Sequence, residues 1–187
     1  MDSVSGIVLA GGQGRRMGGV DKGLQLLRGK PLIEWVLARL APQVAEIIVN
    51  ANQNLERYES YGQRVVRDEI GGFAGPLAGL HAGLKWAKHP LVVTVPCDSP
   101  FLPEDLVSRL RDSLKENHLA VARTGDQPHP VFALMKREVR ESLEAFLAAG
   151  GRKIDAWYAA LKVVEVPFDD EADAFRNLNT LEELRRE

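Results

Sequence analysis

Residues 6–23, GIVLAGGQGRRMGGVDKG, decide how the rest of the chain is read. The first five are an apolar run without alternation, as in a strand buried on both faces. Behind it, residues 9–23 pack six glycines, two adjacent arginines and a lysine into fifteen positions. Glycine in an ordered loop costs backbone entropy, so this density implies sharp turns or close approach of the backbone to something. The basic residues point to an anion. The P-loop pattern G-x-x-x-x-G-K-[ST] is not met, because Lys22 lies between Asp21 and Gly23. Nor is the dinucleotide fingerprint G-x-G-x-x-G, because Met17 stands at its last glycine. The physics is still that of a phosphate nest: successive backbone N–H groups face the oxygens, and Arg16 and Lys22 neutralise them. The competing reading is a solvated surface loop, against which its place directly behind a buried strand weighs.

Outward from this stretch, short apolar runs alternate with amphipathic ones. The pattern predicts strands over 6–10, 46–51, 64–67, 91–96, 119–124, 130–135 and 162–166. It predicts helices over 31–40, 75–87, 103–117 and 137–149, the last closed by Gly150-Gly151, and a helix start at Asn179. Such alternation predicts an α/β fold: one doubly wound, mostly parallel sheet with helices on both faces, forming a single domain over 1–187. Ligands of such sheets sit beyond the carboxyl ends of the strands. That rule selects the glycine loop after the first strand, Asn50 after the second, Asp68 after the third and Asp98 after the fourth.

The 187 residues suffice for a core that needs no metal or disulfide staple, burying roughly 70% of the unfolded surface. A net charge of −2 supplies no global field for nucleic acid, so an anion site has to be local. The single cysteine, Cys97, excludes a disulfide framework and a CxxC zinc site, and the four histidines show no metal-ligand spacing. No apolar run approaches the ~20 residues of a membrane span, and the first residues do not read as a secretory signal. The expectation is a cytoplasmic enzyme or binding protein.

LAGGQGRRMGGVDKG at 9–23 closely resembles the signature of nucleotidyltransferases of the molybdenum cofactor guanylyltransferase type. IIVNAN at 47–52, VVRD at 65–68, GPLAGL at 75–80, VPCDSPFLP at 95–103, HPVFAL at 129–134 and FRNLNTLEEL at 175–184 are similar to further segments of that family, in family order. The resemblance spans nearly the whole chain. It implies a doubly wound α/β fold and transfer of GMP from GTP to the terminal phosphate of molybdopterin, with release of pyrophosphate. It implies Mg2+ as cofactor, GTP and molybdopterin as substrates, molybdoenzymes or their chaperones as recipients, and neither nucleic acid nor membrane as partner.

By the same resemblance, Leu9, Ala10, Gly11 and Gly12 line the GTP site, although Leu9 and Ala10 also read simply as a strand end. Related cytidylyltransferases tend to read LAAG where this chain reads LAGG, and Gly12 leaves room for the larger purine. Lys22 is implied as the catalytic cation on phosphate oxygens, with Arg16 assisting. Asn50 reads the guanine edge or closes its strand, and Asp68 belongs to the GTP site or to the surface. Asp98 is implied as the magnesium ligand, since Mg2+ takes few carboxylates beside waters and phosphates. Its competing reading is a cap for the turn at 100–103 and the helix beyond. Asn177 and Asn179 help hold the metal or the second substrate, although a helix cap explains Asn179, and His129 faces the pterin or borders a strand. Trp35, Trp86 and Trp157 read as packing, and Cys97 as a small buried residue. The near rivals are a cytidylyltransferase of the same cofactor and a sugar-phosphate nucleotidyltransferase, separated by nucleotide preference. A rival of another class is a non-catalytic nucleotide or cofactor carrier, which can dispense with Lys22 and Asp98.

Overall fold

In the computed structural model, which describes residues 3–12, 20–71 and 75–178, the first apolar run is the strand β1, Val4–Leu9. A small antiparallel hairpin, β2 (Leu26–Leu27) and β3 (Lys30–Pro31), leads into α1, Leu32–Leu40. There follow β4 (Glu46–Asn50), α2 (Leu55–Glu59), β5 (Arg64–Val66), α3 (Pro76–Trp86), β6 (Leu91–Pro96) and α4 (Leu106–Leu114). The chain goes on through β7 (Leu119–Thr124), β8 (Gln127–Lys136), α5 (Val139–Ala148), α6 (Ile154–Tyr158) and β9 (Val163–Pro167).

The central sheet has the order β5-β4-β1-β6-β8-β7-β9, and every pairing is parallel except the two made by β8. The chain starts in the middle, steps outward to β4 and β5, then returns across β1 to β6. This reversal places the topological switch point between β1 and β6, where such sheets form a ligand crevice.

The side chains of β1 explain the two layers. Val4, Val8 and Ala10 enter a core shared with α1, α2 and α4, while Ile7 enters one shared with α3, α5 and α6. Two glycines let α3 lie close on the sheet. A Cβ at Gly83 would fall 2.4 Å from Ile7 Cδ1, and one at Gly79 would fall 2.2 Å from Asn50 Oδ1. Gly75 enters that helix at φ 54°, a conformation open to glycine, and Pro76 follows in its first turn.

Some boundaries differ from the sequence reading. α4 starts at Leu106 rather than 103, because a turn from Pro103 precedes it, with Leu106 N–H donating to Pro103 O at 3.3 Å. The β7–β8 hairpin closes on Gly125 and Asp126, so the strand absorbs Gln127, Pro128 and His129. The pieces α2, α6 and the hairpin are too short for periodicity to reveal. The helix start expected at Asn179 lies outside the described residues. Trp157 is buried and Trp35 donates Nε1–H to Leu27 O at 3.2 Å, whereas Trp86 is 44% exposed, under the Arg64 guanidinium. No helix among the described residues is long and apolar enough to cross a membrane.

Candidate nucleotide site at the sheet's carboxyl edge

Parallel register brings the candidate residues together. Leu9 pairs with Asn50 of β4 on one side and Pro96 of β6 on the other. The pairing runs on past the strands, with Ala10 N–H donating to Asn50 O at 2.8 Å and Cys97 N–H to Leu9 O at 3.2 Å. Gly11 and Gly12 therefore emerge between Asn50 and Asp98, with Asp68 beyond the end of β5.

Gly11 is glycine for want of space. A Cβ there would sit 2.5 Å from Asn50 Oδ1 and 2.8 Å from Asn52 Nδ2, and its carbonyl accepts a bond from that Asn52 amide at 3.0 Å. Gly12 has the opposite surroundings, with nothing within 4 Å of where its Cβ would be. Asn50 is buried, and its amide donates to Asp68 Oδ1 at 2.8 Å and Val66 O at 3.3 Å. Asp68 N–H donates to Asn52 Oδ1 at 2.9 Å. Asn50 and Asn52 thus hold Asp68, which lines an open groove of about 260 Å³ with Arg67 and Trp86. Asn52 escaped the sequence reading. The signal for it was its spacing of two from Asn50, which continues one side of an extended chain.

Lys22 opens a short 3-10 turn, Lys22–Leu24, and its Nζ lies 3.4 Å from Asp98 Oδ2. Asp98 is buried, and burial pushes its carboxyl above the usual range against the opposing pull of Lys22. The cap reading of Asp98 is corrected here: α4 is entered through Asp105, and the Asp98 side chain turns to Lys22 instead. Its backbone carbonyl accepts Leu178 N–H at 2.9 Å, and Ser99 Oγ donates to Asn177 Oδ1 at 2.6 Å. The tail segment is therefore docked on the Asp98 loop. His129 stacks on Phe175 with centroids 4.8 Å apart and bonds Thr124 Oγ1 at 2.7 Å, just before that tail. Burial lowers its pKa. Cys97 is a core residue whose thiol is pushed up by burial. Arg16 and Asn179 lie outside the described residues.

The donor set suits magnesium. No group of three or more His, Cys, Asp or Glu able to cage a metal occurs among the described residues. Asp98 is a single buried carboxylate beside Lys22, and a lone carboxylate fits Mg2+, which keeps waters and borrows phosphate oxygens.

Comparison with known proteins gives the following. Residues 6–163 match a family described as the MobA-like NTP transferase domain. A molybdenum cofactor guanylyltransferase of Cupriavidus metallidurans is 52% identical over 190 residues, 98% of this chain and 93% of that protein. The protein of the same name from Shewanella putrefaciens is 50% identical over 185 residues, 98% of this chain and 95% of that one. The crystal structure of molybdopterin-guanine dinucleotide biosynthesis protein A from Archaeoglobus fulgidus has a TM-score of 0.79 at 28% identity, covering 97% of this chain and 95% of that one. The 4-diphosphocytidyl-2C-methyl-D-erythritol synthase of Anaerococcus prevotii, with a TM-score of 0.77 at 15% identity over 99% and 94% of the two chains, shares the fold.

Proposed function

This chain belongs to the MobA-like NTP transferase family, and we propose that it transfers GMP from GTP to the terminal phosphate of molybdopterin, releasing pyrophosphate. In this reading the whole chain, 1–187, is one nucleotidyltransferase domain that works with Mg2+, and molybdoenzymes or their chaperones receive the product. The carrying observation is the Lys22–Asp98 pair, 3.4 Å apart, with Asp98 two residues past the end of β6. A carrier has no use for a buried carboxylate set under a lysine just past the carboxyl end of a central strand.

The reaction is in-line attack of the molybdopterin phosphate on the α-phosphorus, with pyrophosphate leaving. The nucleophile is anionic at neutral pH, so no side chain has to act as base. The barrier is the meeting of two polyanions. Lys22, Arg16 and the N–H groups of the glycine loop lower it by placing positive charge where negative charge accumulates. Asp98 would hold Mg2+ together with phosphate oxygens, and the ion would supply further neutralisation of the triphosphate. Asp68, steadied by Asn50 and Asn52, offers carboxylate acceptors to the guanosine end. Guanine presents adjacent N1–H and 2-amino donors, whereas cytosine presents one amino donor beside an acceptor, so a carboxylate favours GTP. Asn177, Asn179 and His129 fall to the second substrate.

The test is thermal unfolding with Mg2+ and GTP, CTP, ATP or UTP in turn, followed by pyrophosphate release with molybdopterin. A ligand at ~100 times its Kd stabilises by about 2.7 kcal/mol. A shift with GTP alone, then pyrophosphate, is the expected result. A shift with CTP alone moves the protein to its cytidylyl relatives, and nucleotide binding without pyrophosphate makes it a carrier.

A further inference from the structure

We propose that Tyr58, assisted by Asn54, is a positioning residue for Lys22, acting through the carboxylate of Asp21; this rests on the guanylyltransferase reading above. Asp21 stands at the N-cap of the Lys22–Leu24 turn, yet its side chain makes no cap bond there. It is used at long range instead. Tyr58 Oη–H donates to Asp21 Oδ1 at 2.5 Å, and Asn54 Nδ2 donates to Asp21 Oδ2 at 3.0 Å.

Both Asp21 and Tyr58 are buried, Tyr58 completely. A buried carboxylate is costly unless its oxygens are occupied, and here each has a donor. The donors come from one device, the entry to α2. Asn54 takes the left-handed conformation, φ 52° and ψ 36°, which asparagine tolerates better than most residues, and α2 then carries Tyr58. Burial is the main cause that pushes the Tyr58 phenol far above its ordinary range, so it remains a donor at working pH.

The other side of Lys22 is held by packing. A Cβ at Gly23 would fall 2.4 Å from Tyr58 Oη and 3.4 Å from Cys97 Cβ, so only glycine fits between α2 and the residue before Asp98. The Asp21 carbonyl accepts Leu24 N–H at 3.3 Å and Gln25 Nε2–H at 3.1 Å. In Asp21-Lys22-Gly23 the outer two residues are thus fixed to Tyr58, and the middle one carries the charge to Asp98. The buckle sets where Lys22 starts from, and a lysine displaced by an ångström loses much of its effect on a transition state.

The test uses Tyr58→Phe, which keeps the ring and removes the donor, with Asn54→Gly as the gentler variant that keeps the left-handed backbone. With GTP, Mg2+ and molybdopterin, Tyr58→Phe lowers kcat about 10- to 100-fold with the GTP KM within about threefold. In a Lys22→Ala background it costs no more than about twofold, because the group it positions is gone. Amide exchange at 20–25 speeds up about tenfold, while β1 is unchanged. Wild-type kcat, a loss that adds in full to that of Lys22→Ala, or unchanged exchange overturns the proposal. Should the wild type release no pyrophosphate, the guanylyltransferase reading has failed and amide exchange alone decides this one. Should Tyr58→Phe not fold, the same criteria apply to Asn54→Gly, with a kcat loss of about three- to tenfold.

Discussion

The two ends of the same strands treat a carboxylate in opposite ways. At the amino edge, Ser5 of β1 and Glu46 of β4 are register partners. Ser5 Oγ donates to Glu46 Oε1 at 2.6 Å and Lys88 N–H donates to the same oxygen at 2.7 Å, while His89 N–H donates to Ser5 Oγ at 3.2 Å. Burial works to raise the Glu46 pKa, but these donors prevail and it lies below the usual range. At the carboxyl edge burial prevails over Lys22, and Asp98 lies above the usual range. One carboxylate has its partners built in and is finished structure. The other is buried with the Lys22 ammonium beside it, and its ionised form is left less favoured than that of an ordinary carboxylate.

The strongest way to break this contrast is Asp98→Asn. Turnover falls by at least about 10³-fold in a pyrophosphate-release assay. The ligand-free protein nevertheless becomes more stable at pH 7. A folded pKa above the unfolded value means that Asp98's contribution is complete below about 3.8 and is lost as pH rises through the raised folded value. Asparagine escapes that loss, so its thermal advantage fades as pH drops toward 4. A destabilised variant at pH 7 would make Asp98 a structural residue like Glu46.

Lys22→Ala ranks next, lowering kcat about 10²- to 10³-fold with little change in the unfolding midpoint. Gly83→Ala tests the packing beneath the site. Its Cβ would lie 2.4 Å from Ile7 Cδ1, and urea unfolding should report a loss of about 1–3 kcal/mol. Glu46→Gln costs about 1 kcal/mol at neutral pH and leaves turnover unchanged. With its pKa lowered, Glu46 contributes above about 4.5 and loses that contribution as pH falls through the lowered folded value. The variant and the wild type should therefore converge in acid. The smallest effect on the fold belongs to Gly12→Ala, which meets nothing within 4 Å. Its midpoint should move by no more than about 1 °C, while the shift induced by GTP shrinks if the guanosine lies over this residue.

The long elements were legible because their signals are local. Residues 91–96 read as a strand with both boundaries right, since six apolar or β-branched residues lie between His89-Pro90 and Cys97-Asp98. The residues at the carboxyl edge were legible for the same reason, each ending such a run. Asn54, Tyr58 and Gly79 were not, because their partners lie 33, 37 and 29 residues away: Asp21 for the first two, Asn50 for Gly79. Arg16 and Asn179 remain readings of the sequence alone.

Periodicity, turn residues and the order of motifs were enough for the α/β class, the buried first strand and the edge of the sheet at which Lys22, Asn50, Asp68 and Asp98 belong, because covalent neighbours carry that information. What needed the folded chain was which of these residues face one another. Asp98 reads as a metal ligand with a cap as the competing reading, and only the folded chain sets its carboxylate 3.4 Å from Lys22, 76 residues away in sequence. Asn50 is legible from its place at a strand end, and the pairing of β4 with β5 brings the Asp68 carboxylate within reach of its amide. A side chain's role follows from the charge and donors around it, and here those come from strands and loops distant in the chain, joined only by packing.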